Sequence, residues 1–104
     1  MNTSVLLIDE PQEGIRRLTM NRPEKHNALN DDLRLAIFEK LRDADSDKDV
    51  SVIVIRGAGE SFCSGYDLSS VNNPVERTSS TTDGWWSRHV VANWFEMWDM
   101  SKPI

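Results

Sequence analysis

Two short β-rich runs, SVLLIDE (residues 4–10) and IRRLTMNR (15–22), flank PQEG, whose Pro11 and Gly14 mark a turn. The pattern predicts an antiparallel hairpin that Arg22-Pro23 stops. A helix is expected next. Asn30 suits its N-cap, Asp31 and Asp32 suit the positive end of its dipole, and Leu33, Ile37, Leu41 and Ala44 recur at helical spacing to about Asp45. SVIVIRG (51–57) then reads as a short, almost unbroken apolar strand, the pattern of a strand covered on both faces in a parallel or mixed sheet. Together these form a ββαβ unit.

Residues 69–84 turn to Ser, Thr, Asn and Pro, with hardly an apolar side chain to bury, and predict a long mobile loop. WWSRHVVANWFEMWDM (85–100) returns to helical spacing through Trp86, Val90, Trp94 and Met97. Trp85, Val91, Phe95 and Trp98 widen its apolar surface beyond one stripe, so the helix needs cover on most sides. The chain ends at SKPI, where Pro103 and Ile104 read as the approach to another strand. An aromatic helix with no following element to cover it suggests a truncated chain.

Composition narrows the class. The 104 residues fit one small domain, and 17 acidic against 12 basic side chains give a net charge of −5. That balance argues against nucleic acid or a membrane surface as partner, since both reward clustered positive charge. The one cysteine, Cys63, has no internal disulfide partner, and the start MNTSVLLIDE lacks the basic and long apolar regions of a signal peptide. The expected compartment is the cytoplasm. No apolar segment approaches the ~20 residues that span a bilayer.

The loop RGAGESFCSGYDLSS (56–70) is the chemically distinctive stretch. Its three glycines, following an apolar strand, imply that backbone comes close to something. Taken in order, LTMNRPEKHNALNDDL (18–33), VSVIVIRGAGESFCSGYDL (50–68) and MSKPI (100–104) resemble the N-terminal part of the enoyl-CoA hydratase/isomerase, or crotonase, superfamily. The resemblance covers nearly the whole chain and is weakest over residues 69–100. It implies an α/β fold, a crotonase-like spiral of ββα units of which residues 1–104 are the N-terminal part of the core. It also implies homotrimers or pairs of trimers acting on acyl-CoA thioesters, with coenzyme A as part of the substrate and no separate cofactor.

Chemistry next to a thioester carbonyl passes through an enolate-like state whose oxygen needs preorganised donors. By resemblance, the residue after the glycine of SGYD supplies one main-chain N–H to that oxyanion hole, which selects Tyr66. Many family members carry a small residue there, so the tyrosine bears on pocket width and acyl preference. The resemblance further implies that PEKHNAL and CSGYDL cradle the adenine and pantetheine, making Lys25, Ala28, Ser64, Gly65, Tyr66 and Leu68 the binding candidates. Lys25, with Arg22, is placed near the phosphates. Against this stands a plainer reading, in which Asn27 and Asn30 only organise a turn and cap the helix while Arg22 and Lys25 are solvated.

Other residues point to less. Cys63 beside Phe62 has no histidine near it in sequence and reads as buried and inert rather than nucleophilic. His26 and His89 lack metal-ligand spacing, Asp67 suits a helix cap, and GAGESF lacks the third glycine of a dinucleotide fingerprint. In hydratases of the family the second oxyanion donor and the acid/base glutamates follow the KPI position, and Glu60, Glu76 and Glu96 match none of them. Two readings therefore stand: part of an enoyl-CoA hydratase-like enzyme, inactive alone, or a non-catalytic acyl-CoA-binding or oligomer-interaction fragment. Isomerase, thioesterase and decarboxylase reactions of the superfamily stay open beside hydration.

Overall fold

The computed structural model describes residues 5–67 and 90–104. The chain divides into two compact units, Met1–Tyr66 with Ser101–Ile104, and Asp67–Met100. In the first unit, β1 (Leu6–Gln12) and β2 (Ile15–Met20) form the expected hairpin, and β3 (Val52–Gly57) pairs with β2 in parallel, giving the order β1-β2-β3. The turn is tighter than PQEG suggested, since Pro11 and Gln12 still belong to β1. Proline is tolerated there because β1 is an edge strand and its register slips between Asp9 and Gln12. Gly14, at φ +83°, closes the turn, and its carbonyl accepts from Ser51 N (2.7 Å) and Val52 N (3.1 Å), which starts β3 in register.

Parallel strands need a crossover, and α1 (Asp31–Ser46) supplies it. Asn30 caps it as expected, its Oδ1 accepting from Leu33 N at 2.9 Å. Leu33, Ala36, Ile37, Phe38, Leu41 and Ala44 are buried on one helical face, against Leu6, Leu18, Met20 and Ile53 of the sheet. Each large apolar side chain removed from water there contributes roughly 2 kcal/mol.

The sheet corrects one expectation. Ile53 is buried, but Val52 and Val54 are exposed by 36% and 37%, so β3 is covered on one face and not on both. Side chains alternate across a strand, and α1 covers only the face that carries Leu6, Leu18 and Ile53. On the other face, Leu7, Val52 and Val54 lie among polar pairs: Arg17 donates to Asp9 at 2.9 and 2.5 Å, and Arg56 Nε donates to Thr19 Oγ1 at 2.8 Å. The hydrogen bond from Arg17 holds the Asp9 carboxyl below its ordinary pKa despite some desolvation.

The end of α1 has no basic residue in its last turn, and two carbonyls there find an additional donor 55 to 58 positions further along the chain. Lys102 Nζ donates to Ala44 O at 2.9 Å and to Asp47 O. Asp45 Oδ1 accepts from Ser101 N (2.9 Å), Ser101 Oγ (3.0 Å) and Lys102 N (3.2 Å). This clamp brings residues 101–104 to the edge of β3, where Ile53 N donates to Pro103 O at 2.9 Å. SKPI thus approaches the sheet as expected, and the β3 edge is met at Ile53 rather than left unpaired. Asp47 also accepts from Asp49 N and pairs with Arg16; both interactions lower its pKa.

In the second unit, α2 (Ala92–Asp99) carries part of the expected aromatic helix. Along the predicted stripe Val90 is buried and Trp94 and Met97 are half-buried. The widening positions are not covered: Phe95 and Trp98 are exposed, and their rings meet edge to face at 4.6 Å. Trp85, Trp86, His89 and the loop of 69–84 lie outside the described residues. Among the described residues no helix is long and apolar enough to cross a membrane.

Candidate functional site

Two loops of the first unit meet at the ends of β2 and β3. The first leaves β2 through Asn21 and Arg22, makes a single 3-10 turn at Pro23–Lys25, and reaches α1 at Asn30. The second leaves β3 at Gly57 and runs to Tyr66. Pro23 fits the first turn of its 3-10 segment because its missing N–H would have no partner there. His26 and Asn27 then take left-handed backbone conformations, φ +52° and +56°, which reverse the chain. Main-chain bonds inside the loop, Asn27 N to Arg22 O (2.9 Å) and Ala28 N to Lys25 O (3.1 Å), close it on itself.

Main chain ties the second loop to the end of β2 at one point and to the first loop at two. Ala58 N donates to Met20 O (2.8 Å), Ser64 N to His26 O (3.0 Å) and Leu29 N to Gly65 O (2.8 Å), and Leu29 and Tyr66 form an isolated parallel bridge. With Leu29 bonded to the residue before Tyr66, that bridge directs the Tyr66 N–H and C=O to the side away from the 28–30 segment. Gly65 sits at φ +105° with no atom within 4 Å of the position its Cβ would take, so backbone conformation and not crowding calls for glycine. Gly57 is the opposite case. A Cβ there would lie 2.4 Å from Ser61 O, 2.5 Å from Phe62 O and 2.7 Å from Asn27 Nδ2.

Side chains add further joints. Asn27 is fully buried; its Oδ1 accepts from Arg22 N (2.8 Å), and its Nδ2 donates to Ala58 O (3.0 Å) and Ser61 O (2.9 Å). His26 Nδ1 and Ser61 Oγ are 3.1 Å apart. Arg22 Nη1 donates to Ala28 O, which ties the guanidinium into the loop.

The sequence-derived candidates fall out as follows. Lys25, Ala28, Ser64, Gly65 and Tyr66 are brought together by the paired loops; Lys25 and Ser64 are exposed, the other three half-buried. Leu68 lies outside the described residues, as does any helix that Asp67 would cap. Cys63 is half-buried and not fully buried as expected: its sulfur accepts from Gly65 N at 3.4 Å at the surface of the turn. The reading of Asn27 as a mere turn former is too small, because its amide spans both loops. The available signal was an asparagine in a turn whose own carbonyls do not need it, followed 30 residues later by a glycine closing an apolar strand.

The sequence profile of the family described as "Enoyl-CoA hydratase/isomerase" matches residues 10–104. The chain belongs to that family. It is 33% identical over 77 residues to the 1,2-epoxyphenylacetyl-CoA isomerase of Escherichia coli K12, covering 74% of this chain and 29% of that protein. The peroxisomal Delta(3,5)-Delta(2,4)-dienoyl-CoA isomerase of Arabidopsis thaliana is 42% identical over 70 residues, 67% of this chain and 25% of that one. Among solved structures, an enoyl-CoA hydratase from Mycobacterium tuberculosis H37Rv superposes with a TM-score of 0.64 at 43% identity, over 67% of this chain and 31% of that chain. The α/β architecture is the N-terminal part of the crotonase fold. The chain spans between a quarter and a third of the length of these relatives.

Proposed function

We propose that this family member contributes to an acyl-CoA site of the hydratase type, in which water adds across the double bond of a trans-2-enoyl-CoA. The Leu29–Tyr66 bridge carries the reading. It sets residues 25–28 beside 64–66 and turns the Tyr66 N–H away from its own pairing partner. In this reading that N–H donates to the thioester oxygen as enolate character develops, the moment at which a preorganised donor is worth most. Lys25, Ala28, Ser64, Gly65 and Leu68 hold the coenzyme A portion, which belongs to the substrate, so no separate cofactor is invoked. In this reading the protein works as a trimer or pair of trimers in the cytoplasm.

A second reading applies to residues 1–104 by themselves. They span between a quarter and a third of the relatives' length. Alone they bind acyl-CoA without turning it over.

One experiment covers both. Crotonyl-CoA is titrated into the 104-residue chain, and turnover is followed by loss of enoyl absorbance there and in a longer polypeptide that carries the chain. Residues 1–104 should bind saturably without turnover. In the longer polypeptide Tyr66→Pro, which removes the N–H, should lower the rate about 10²-fold or more, while Tyr66→Phe changes it little. Equal turnover in both variants refutes the oxyanion assignment.

A further inference from the structure

The two site loops approach each other with carbonyls facing inward. Ala58 O and Ser61 O from one loop and Arg22 N from the other converge on a single fully buried side chain, Asn27. The chemistry of that cluster is demanding. Two carbonyls require donors and one amide requires an acceptor, all within reach of one β-carbon. Among the natural side chains only the carboxamide of asparagine meets that geometry from this position. Aspartate has no donor when ionised, leucine has neither group, and glutamine adds a methylene to a space already closed by Gly57, whose Cα lacks room for a methyl group. The left-handed backbone of Asn27, φ +56°, is one that asparagine adopts at lower cost than most residues.

We infer that Asn27 is a positioning residue: it fixes the register of the 22–29 loop against the 57–66 loop, so that the Lys25–Ala28 and Ser64–Tyr66 backbones present one continuous surface. The inference rests on the acyl-CoA reading above for what that surface binds, and on geometry alone for the joint itself. Two features tie the joint to the site rather than to the fold at large. Two of its three bonds cross from one loop to the other, and none lies within the sheet. The neighbouring main-chain bonds, Ser64 N to His26 O and Leu29 N to Gly65 O, cross the same seam.

The test uses the 104-residue chain with two substitutions. Asn27→Gly removes the side chain while easing the left-handed backbone, which separates lost hydrogen bonds from backbone strain. Asn27→Asp keeps the shape and turns two favourable contacts into oxygen–oxygen repulsion. Amide hydrogen exchange is read at Ser64 and Leu29, which cross the seam, and at Leu18 and Ile55 in the sheet; affinity is read with coenzyme A and crotonyl-CoA as probes. Exchange at Ser64 and Leu29 should accelerate at least tenfold in both variants, with sheet amides changing less than threefold, and probe affinity should fall at least tenfold. Seam amides that keep their protection overturn the inference, as does a loss of protection spread evenly over seam and sheet, which would make Asn27 a stability residue only. A seam that opens with probe affinity unchanged overturns it too. If the wild-type chain binds neither probe while the seam opens as expected, the joint stands and the acyl-CoA reading falls.

Discussion

Gly57→Ala puts the two-loop arrangement under the most direct load. The added methyl carbon would meet three atoms at 2.4, 2.5 and 2.7 Å, where ordinary van der Waals contact begins at 3.4 Å. Two of the three are main-chain oxygens, of Ser61 and Phe62, so no flexible side chain can swing aside. The 58–62 segment has to retreat by about 1 Å, and that movement stretches the Asn27 Nδ2 bonds to Ala58 O and Ser61 O, now 3.0 and 2.9 Å, beyond hydrogen-bonding range. Overpacking costs typically 1–3 kcal/mol, and a buried amide left without its partners costs about 1–3 kcal/mol more. The expected loss is therefore about 2–6 kcal/mol, a large fraction of the 5–15 kcal/mol typical of a domain. Gly65→Ala is the control: it meets no atom within 4 Å and suffers only the φ of +105°, a cost of about 1–3 kcal/mol. Urea unfolding followed by far-UV circular dichroism gives both values. Tryptophan fluorescence is a poor probe here because all four tryptophans lie in the other unit. A cost for Gly57→Ala below about 1 kcal/mol, or below that for Gly65→Ala, would refute the argument from close approach.

Two further outcomes follow from the charges. Lys102→Met removes the cation that donates to the carbonyls at the end of α1, so the Ile53 amide, bonded to Pro103 O, should exchange faster while the Leu18 amide does not; equal exchange rates with and without the lysine would refute the clamp. Asp9 and Asp47 have pKa values held below the ordinary carboxylate value, by Arg17 for Asp9 and by the Asp49 N–H followed by Arg16 for Asp47. A folded pKa below the unfolded one means that the stabilisation is complete above the unfolded value and is lost as pH falls through the folded value. Urea midpoints should therefore decline below about pH 4, and Asp47→Asn should flatten that decline, whereas an unchanged acid limb in Asp47→Asn would remove the residue from the account.

The elements could be read from the sequence because each rests on local chemistry. Asn30 caps α1 with its own side chain, the apolar positions from Leu33 to Ala44 keep a 3.6-residue period, and Gly14 turns a hairpin between two β-rich runs. The order of the motifs around Asn27 and Gly65 was enough to indicate the family. What stayed hidden depends on atoms far apart in the chain. Period two predicts alternation on β3 but says nothing of what covers each face, and α1 covers only one. A single half-buried cysteine looks buried in sequence, because the sulfur's role as acceptor for Gly65 N is set by the turn and not by its neighbours in the chain. The helix-ending cation comes from Lys102, distant in sequence and adjacent in space. Asn27 is the clearest division. Its residue type and its place in a turn are properties of the sequence, but the two carbonyls that it satisfies belong to a loop some 30 residues away, and only folding brings an acceptor to each of its donors.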